Sequence, residues 1–239
     1  MKLQRKGIKH SHRGVIGVES AIVMIAFVIV AAALAFVVLN MGFTTSQKAK
    51  TTIISGLSEA GSSLQLAGKV TGVGCTGSAG GCDTTPYLNA TAFPIKITSG
   101  GEAINLAAST TALKYVSNSV EYDDIYDGPI TDAEYRSLSL ALTRAVNTGF
   151  IESHPISAGG ANDTASTGGT TGFIYWSVRS NTNAILDQGE HATIVIAYKD
   201  GDRPTSLDII RAELIPATGA SLTVERQIPV ISRSVIDLG

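Results

Sequence analysis

The chain has 239 residues, 44% of them hydrophobic and only 16% charged, where an ordinary soluble domain carries about 25% charged residues. Some part of it is therefore built to leave water, and the length allows one sizeable domain plus an appendage. A formal net charge of -2 excludes the basic face of a nucleic-acid binder, and four histidines with two cysteines exclude most cysteine/histidine zinc frameworks.

The charge is unevenly placed. Residues 1–14 hold Lys2, Arg5, Lys6, Lys9 and Arg13 and no acid. From Ala21 to Leu39 there follow 19 residues without a charged or strongly polar side chain, roughly 29 Å as a helix, against a bilayer core of about 30 Å. A basic flank ahead of a first span keeps the N-terminus in the cytoplasm and sends the C-terminal domain outward. A secretory signal is cut after its apolar run, at small residues; here the apolar run continues into a helical segment. The break lies before it, at Arg13-Gly14, ahead of Val15-Ile16-Gly17-Val18-Glu19. A break after Lys6-Gly7 is the alternative, and it leaves His10, His12 and Arg13 ahead of the span.

This arrangement resembles the class III leader of prepilins and archaeal flagellin precursors, which a prepilin-type membrane aspartic peptidase removes on the cytoplasmic side. The resemblance implies that residues 1–14 form the leader, that Gly14 is its last residue, and that Val15 becomes the N-terminus. Glu19 then falls at the fifth mature position, where its carboxylate pairs with a mature N-terminal amine; the plainer reading is a favourable charge near a helix N-terminus, about 0.3–1 kcal/mol.

Beyond Asn40-Met41-Gly42 the pattern turns amphipathic, with Ile53, Ile54, Leu57, Ala60, Gly61 and Leu64 at helical spacing. The expected helix covers 15–67, and through Leu66 it is roughly 78 Å long, too long for a bilayer alone. Thirteen large apolar side chains lie between Ala21 and Leu39, Ile22, Ile25, Phe27, Ile29, Leu34, Phe36 and Leu39 among them. Each is worth about 1.5–3 kcal/mol when buried, so the helix has two homes: lipid before assembly and a core of identical helices afterwards. A permanent single-span anchor is the alternative that hydropathy alone favours.

The segment Gly17 to Val73 resembles the N-terminal region of archaellins, the archaeal flagellins of the type IV pilin-like superfamily, nearly throughout. Leu186 to Tyr198 (LDQGEHATIVIAY) and Leu214 to Val230 (LIPATGASLTVERQIPV) are also similar to that family; about Gly74 to Asn183 shows no match. The resemblance implies a secreted subunit that polymerises with itself through its helix, and partnership with the assembly platform and motor of the archaellum. An adhesive archaeal pilin, which shares leader and helix, and a membrane-tethered surface binding domain are the other readings.

Residues 68–239 have a different texture. Cys75 and Cys82 bracket TGSAGG; with both outside the membrane a disulfide is expected, closing a short loop worth about 2.5 kcal/mol. Gly72, Gly74 and Gly77 have nominal dinucleotide-fingerprint spacing without a following helix, and Gly56 and Gly61 have P-loop spacing but are followed by Ser62, not lysine. Asn89-Ala90-Thr91 and Asn162-Asp163-Thr164 are N-glycosylation sequons, the second inside a small polar stretch, 157–172, expected as a surface loop.

Strand-like runs are Phe93–Thr98, Ala112–Tyr122, Phe173–Val178, Thr193–Lys199, Leu207–Leu214 and Ser221–Ile231, a spacing that predicts an all-β sandwich. The run Phe173–Val178 is apolar on both faces and so predicts a central strand, and Asp200-Gly201-Asp202 reads as a hairpin turn. The expected fold class is therefore α+β: a long N-terminal hydrophobic α-helix followed by an antiparallel β-sandwich, for which the family resemblance implies the immunoglobulin-like form.

The acidic run Glu121–Glu134 places Asp123, Asp127 and Glu134 on calcium-loop positions, but Ile125 stands where an oxygen ligand is needed. The alternative is a solvated turn in which Thr131 and Glu134 cap a short helix through Tyr135, Leu138 and Leu142; Leu138, Leu140 and Leu142 fit a strand equally. His154 and His191 stand alone, with no zincin motif and no Gly-x-Ser-x-Gly elbow, so no catalyst and no cofactor is expected. Loss of the leader removes five of the 18 basic residues and none of the 20 acidic ones, leaving a mature net charge of -7, which suits an extracellular surface polymer in water.

Overall fold

From Arg13 to Gly61 no proline interrupts the chain, and straight-chain, alanine and branched apolar residues dominate. This stretch forms α1 (Arg13–Gly61), 49 residues and about 73 Å long. The computed structural model describes residues 13–61, 64–75, 86–152, 154–155 and 169–239. The chain divides into two units, residues 1–55 and 56–239.

The expected helix runs on to residue 67, whereas α1 ends at Gly61 and Leu64–Leu66 is a strand, β1. Leu-Gln-Leu alternates with period two, and its backbone pairs antiparallel with Ile95–Ile97, which leaves Leu64 8% exposed. A free sheet edge thus outbid the helical continuation of the apolar face.

The remaining elements, in order, are β2 (Thr71–Cys75), β3 (Tyr87–Ile97), β4 (Ile104–Asn105), β5 (Ala112–Val116), β6 (Glu121–Tyr122), β7 (Tyr126–Ile130), α2 (Leu138–Thr148), β8 (Thr171–Val178), β9 (Ile185–Leu186), β10 (His191–Ala197), β11 (Ile209–Ile215), β12 (Leu222–Gln227) and β13 (Val235–Asp237). One sheet has the order β13-β2-β3-β10-β8-β7 with β1 also on β3, the second has β12-β11-β5-β6, and β4 pairs with β9. The pairs are antiparallel except β7 with β8, which is parallel.

Between the two large sheets lies the main core, with Phe93, Leu113, Tyr115, Trp176, Ile196 and Tyr198 nearly or fully buried. The outer face of the larger sheet is covered by α2, whose Ala141, Leu142 and Ala145 pack with Phe173, Val195 and Ala90. This third layer explains the run at β8. Ile174 and Trp176 enter the sandwich core, and Phe173 and Tyr175 face the helix layer, so the strand is interior as its two apolar faces predict.

At 138–142 the helix prevails over the strand. Ser137 accepts from the Leu140 N–H at 3.4 Å, and Gly149, at φ 83°, closes the other end by donating to Ala145 and Val146. The expected Thr131/Glu134 cap lies too early: Thr131 O accepts from Arg179, and Glu134 stands 3.6 Å from Arg136. Asp200–Asp202 is a 3-10 turn joining β10 of the larger sheet to β11 of the smaller, not a hairpin. Both edges of β10 are already taken by β3 and β8, so the chain must change layers there.

Candidate polymerisation surface

On α1 every described side chain from Gly17 to Leu57 is exposed. Ile22, Ile25, Phe27, Ile29, Leu34, Phe36 and Leu39 are each 60–76% exposed, and at 100° per residue they and the exposed Val23, Met24, Val28 and Val30 point around the whole circumference. A helix apolar on all sides is stable only when surrounded. Among the described residues this is the one helix long and apolar enough to cross a membrane, with a mean hydropathy of 3.3 over its most apolar window.

Four of its hydroxyls bond to the backbone of the helix itself. Ser20 donates to Gly17 O at 3.1 Å, Thr44 to Asn40 O at 2.6 Å, Thr51 to Gln47 O at 2.9 Å and Thr52 to Lys48 O at 2.9 Å. Each hydroxyl is satisfied within its own helix and adds no unpaired donor to an apolar environment. Residue spacing gives no sign of these bonds beyond the occurrence of Ser and Thr. Glu19 is exposed near the start of the helix, and Arg13, Gly14 and Val15 form its first turn.

The other predicted site residues belong to the second unit. Cys75 ends β2, while Cys82, and with it the expected disulfide, lies outside the described residues, as do Asn162 and its sequon. Asn89 is 2% exposed inside β3, its amide donates to Pro155 O at 3.1 Å, and Thr91 is fully buried against the Tyr198 hydroxyl at 2.9 Å. The folded domain therefore withholds this sequon from a glycosylating enzyme.

The acidic run is split between layers. Asp123 leaves β6 at the edge of the smaller sheet, Asp127 lies in β7 of the larger one, and Glu134 follows β7. No group of three metal-binding side chains exists among the described residues. Asp124 Oδ1 is taken by the Leu113 and Tyr126 N–H groups, and burial followed by the Asp124 charge raises the pKa of Asp127. Lys114 instead gathers Glu121 at 2.8 Å and Asp123 at 2.9 Å, and their hydrogen bonds hold its ammonium well above the usual lysine range. His154 lies 2.9 Å from Ser139 O, and His191 is in β10.

The model of the archaeal-type flagellin family matches residues 14–226. A probable flagellin of Aeropyrum pernix is 34% identical over 221 residues, 91% of this chain and 92% of that protein. The archaeal flagellum of Methanospirillum hungatei aligns over 89% of this chain and 93% of its own, with a TM-score of 0.53 and 25% identity. A crystal structure of an archaeal flagellin of Methanocaldococcus jannaschii shares the fold, at TM-score 0.53 and 16% identity, over 74% of this chain and 96% of that one.

Proposed function

Since this chain belongs to the archaeal-type flagellins, structural subunits of the extracellular archaellum filament rather than enzymes, we propose how it is matured and assembled. It is inserted in the membrane as a precursor, residues 1–14 are removed between Gly14 and Val15 by a prepilin-type peptidase, and α1 passes from lipid into a bundle of identical helices. The family match begins at Gly14, which supports a leader that is not part of the working subunit.

One observation carries this reading: a helix of 49 residues whose described apolar side chains are exposed on all sides. Lipid and a helical bundle both cover it, and moving from one to the other costs little hydrophobic free energy because both are apolar. Glu19 accompanies the helix into the bundle and pairs there with a mature N-terminal amine. Residues 68–239 pave the outside, carrying a Cys75–Cys82 disulfide and a glycan at Asn162. An assembly platform adds subunits at the base, and a motor there turns the filament for swimming, while this chain supplies shape and stiffness.

The test is deletion of the coding region, with swimming assays and electron microscopy of the same cells and N-terminal analysis of the native subunit. Loss of swimming together with the long filament, restored by the intact chain, and a subunit beginning at Val15 are expected. Retained filaments, or a subunit that begins before Val15, would overturn the respective half of the proposal.

A further inference from the structure

Leu207 is the one described residue other than glycine with a left-handed backbone, at φ 73°, and its side chain is 65% exposed. It is the third residue of a tight turn. The Asp208 N–H donates to Thr205 O at 3.3 Å, and Asp208 Oδ2 accepts from the Thr205 N–H at 2.7 Å and its hydroxyl at 2.8 Å. That position calls for glycine or asparagine. A leucine there strains the backbone and shows an apolar side chain to water, two penalties that the isolated subunit gains nothing by accepting.

Leu207 does not stand alone. Its N–H donates to Ile228 O at 2.8 Å, and the Ile231 N–H donates to Ser206 Oγ at 3.2 Å, so residues 206–209 run beside 228–231. Ile209 is 43% and Val230 70% exposed, and Pro229 is exposed between the buried Ile228 and Ile231. An apolar strip therefore marks this end of β11 and β12, lined by Leu207, Ile209, Pro229 and Val230.

Charge says what covers it. Arg226 donates to two backbone carbonyls, Gly239 O at 3.0 Å and Glu225 O at 2.9 Å, and neither it nor Arg233 has an ion-pair partner among the described residues. Arg226 lies in β12, one edge of the four-stranded sheet, and Arg233 follows that strand ahead of β13. The opposite edge, β6, carries Glu121, and Asp123 and Asp124 come directly after its last residue; Glu121 and Asp123 share the single cation Lys114. We propose that the strip Leu207, Ile209, Pro229 and Val230 docks a second copy of this chain, which presents its acidic β6 edge to Arg226 and Arg233.

Unlike edges meeting in this way make a heterologous contact, which propagates instead of closing. The proposal rests on the reading of the chain as a filament subunit and adds a second adhesive surface, carried by the β domain, to the one on α1.

Hydroxyl-radical oxidation read by mass spectrometry tests it, on intact filaments and on subunits dissociated from them, with an added peptide as dosimeter. Leu207 and Val230 are expected to be oxidised much less in filaments than in dissociated subunits. Equal oxidation in the two states overturns the proposal, whether both are high, which means a bare strip, or both low, which means a cover within the subunit itself. The variant Leu207→Gly relieves the turn, so the subunit folds, yet its filaments are expected to dissociate at a lower temperature than the unaltered ones. An unchanged or higher dissociation temperature overturns the docking role. Arg233→Glu is expected to lower that temperature too, and retention of it overturns the charged half of the contact. Filaments that lack this chain altogether would instead refute the filament reading, a distinct outcome.

Discussion

Glu190 is 1% exposed and accepts three hydrogen bonds, from Trp176 Nε1 at 3.3 Å, the Ser180 N–H at 2.7 Å and the Asp187 N–H at 3.1 Å. It closes the segment between β8 and β10 onto the core, and the Arg179 guanidinium lies 5.2 Å from the Trp176 ring centroid over the same corner. Removing a buried acceptor leaves its donors unsatisfied at about 1–3 kcal/mol each, less where water can enter. Glu190→Ala is therefore expected to destabilise the β domain by about 3 kcal/mol and to lower its melting temperature by roughly 10 °C. Emission of the single tryptophan reports the melt directly, and an unchanged midpoint would remove Glu190 from this role. None of this is legible in the local sequence, where Gly189-Glu190 reads as an ordinary polar turn; the three donors converge only after β8 and β10 have paired. Asn89 teaches the converse. Its sequon is plain in the sequence, and burial in β3 takes it out of reach.

Among the elements, β13 is the edge strand whose placement depends most visibly on one small residue. It pairs with β2 through Val235↔Val73, Ile236↔Gly72 and Asp237↔Thr71, and Lys69 and Asp237 form an ion pair beside that ladder. A Cβ on Gly74 would lie 2.8 Å from Ile231 Cγ2 and 2.9 Å from Arg233 O, and the latter, being backbone, cannot swing aside. Gly74→Ala is expected to cost about 1–3 kcal/mol, the usual range for overpacking, and to act locally. Hydrogen exchange should quicken at Val235–Asp237 while β3 and β10 remain protected; uniform acceleration across both sheets would show that the edge and the core open together. In the sequence Leu138, Leu140 and Leu142 fit a strand as well as a helix, and the apolar outer face of the larger sheet selects the helix α2, which buries Ala141, Leu142 and Ala145.

On the scale of the whole molecule the two units respond to different insults. The β domain buries its phenols: burial pushes Tyr115 up to about 12 and raises Tyr126 and Tyr198 as well. A folded-state pKa above the unfolded value of 10.0 contributes stability that is fully present below pH 10 and is lost as pH rises through the folded value. Phenolate absorbance should therefore lag behind the ordinary tyrosine curve above pH 10, and the buried phenols should titrate together with loss of tryptophan burial. Independent titration of every tyrosine near pH 10, in a domain still folded, would contradict the packing described. The helix unit is sensitive to charge instead. Ile29→Lys places an ammonium near the middle of the span, at about 2.5–3.5 kcal/mol per subunit, and every copy in a bundle bears it. Cells carrying that variant are expected to lack filaments in electron micrographs, while the tryptophan melt of the expressed chain stays at its original midpoint; filaments of normal length would show that α1 is not the polymerising surface.

Composition and order along the chain were enough for the coarse design. An uncharged apolar run beside a basic flank can be stable only away from water, and that free energy is local, additive along the helix and independent of any distant contact. The same locality made the central position of β8 readable from its two apolar faces. The end of α1, the layer change at Asp200–Asp202, the scattering of Asp123, Asp127 and Glu134 across two sheets, and the burial of Asn89 were decided only by tertiary structure. In each case the outcome turned on which sheet edge was still free and which face was already covered, and those are properties of partners far apart in the chain.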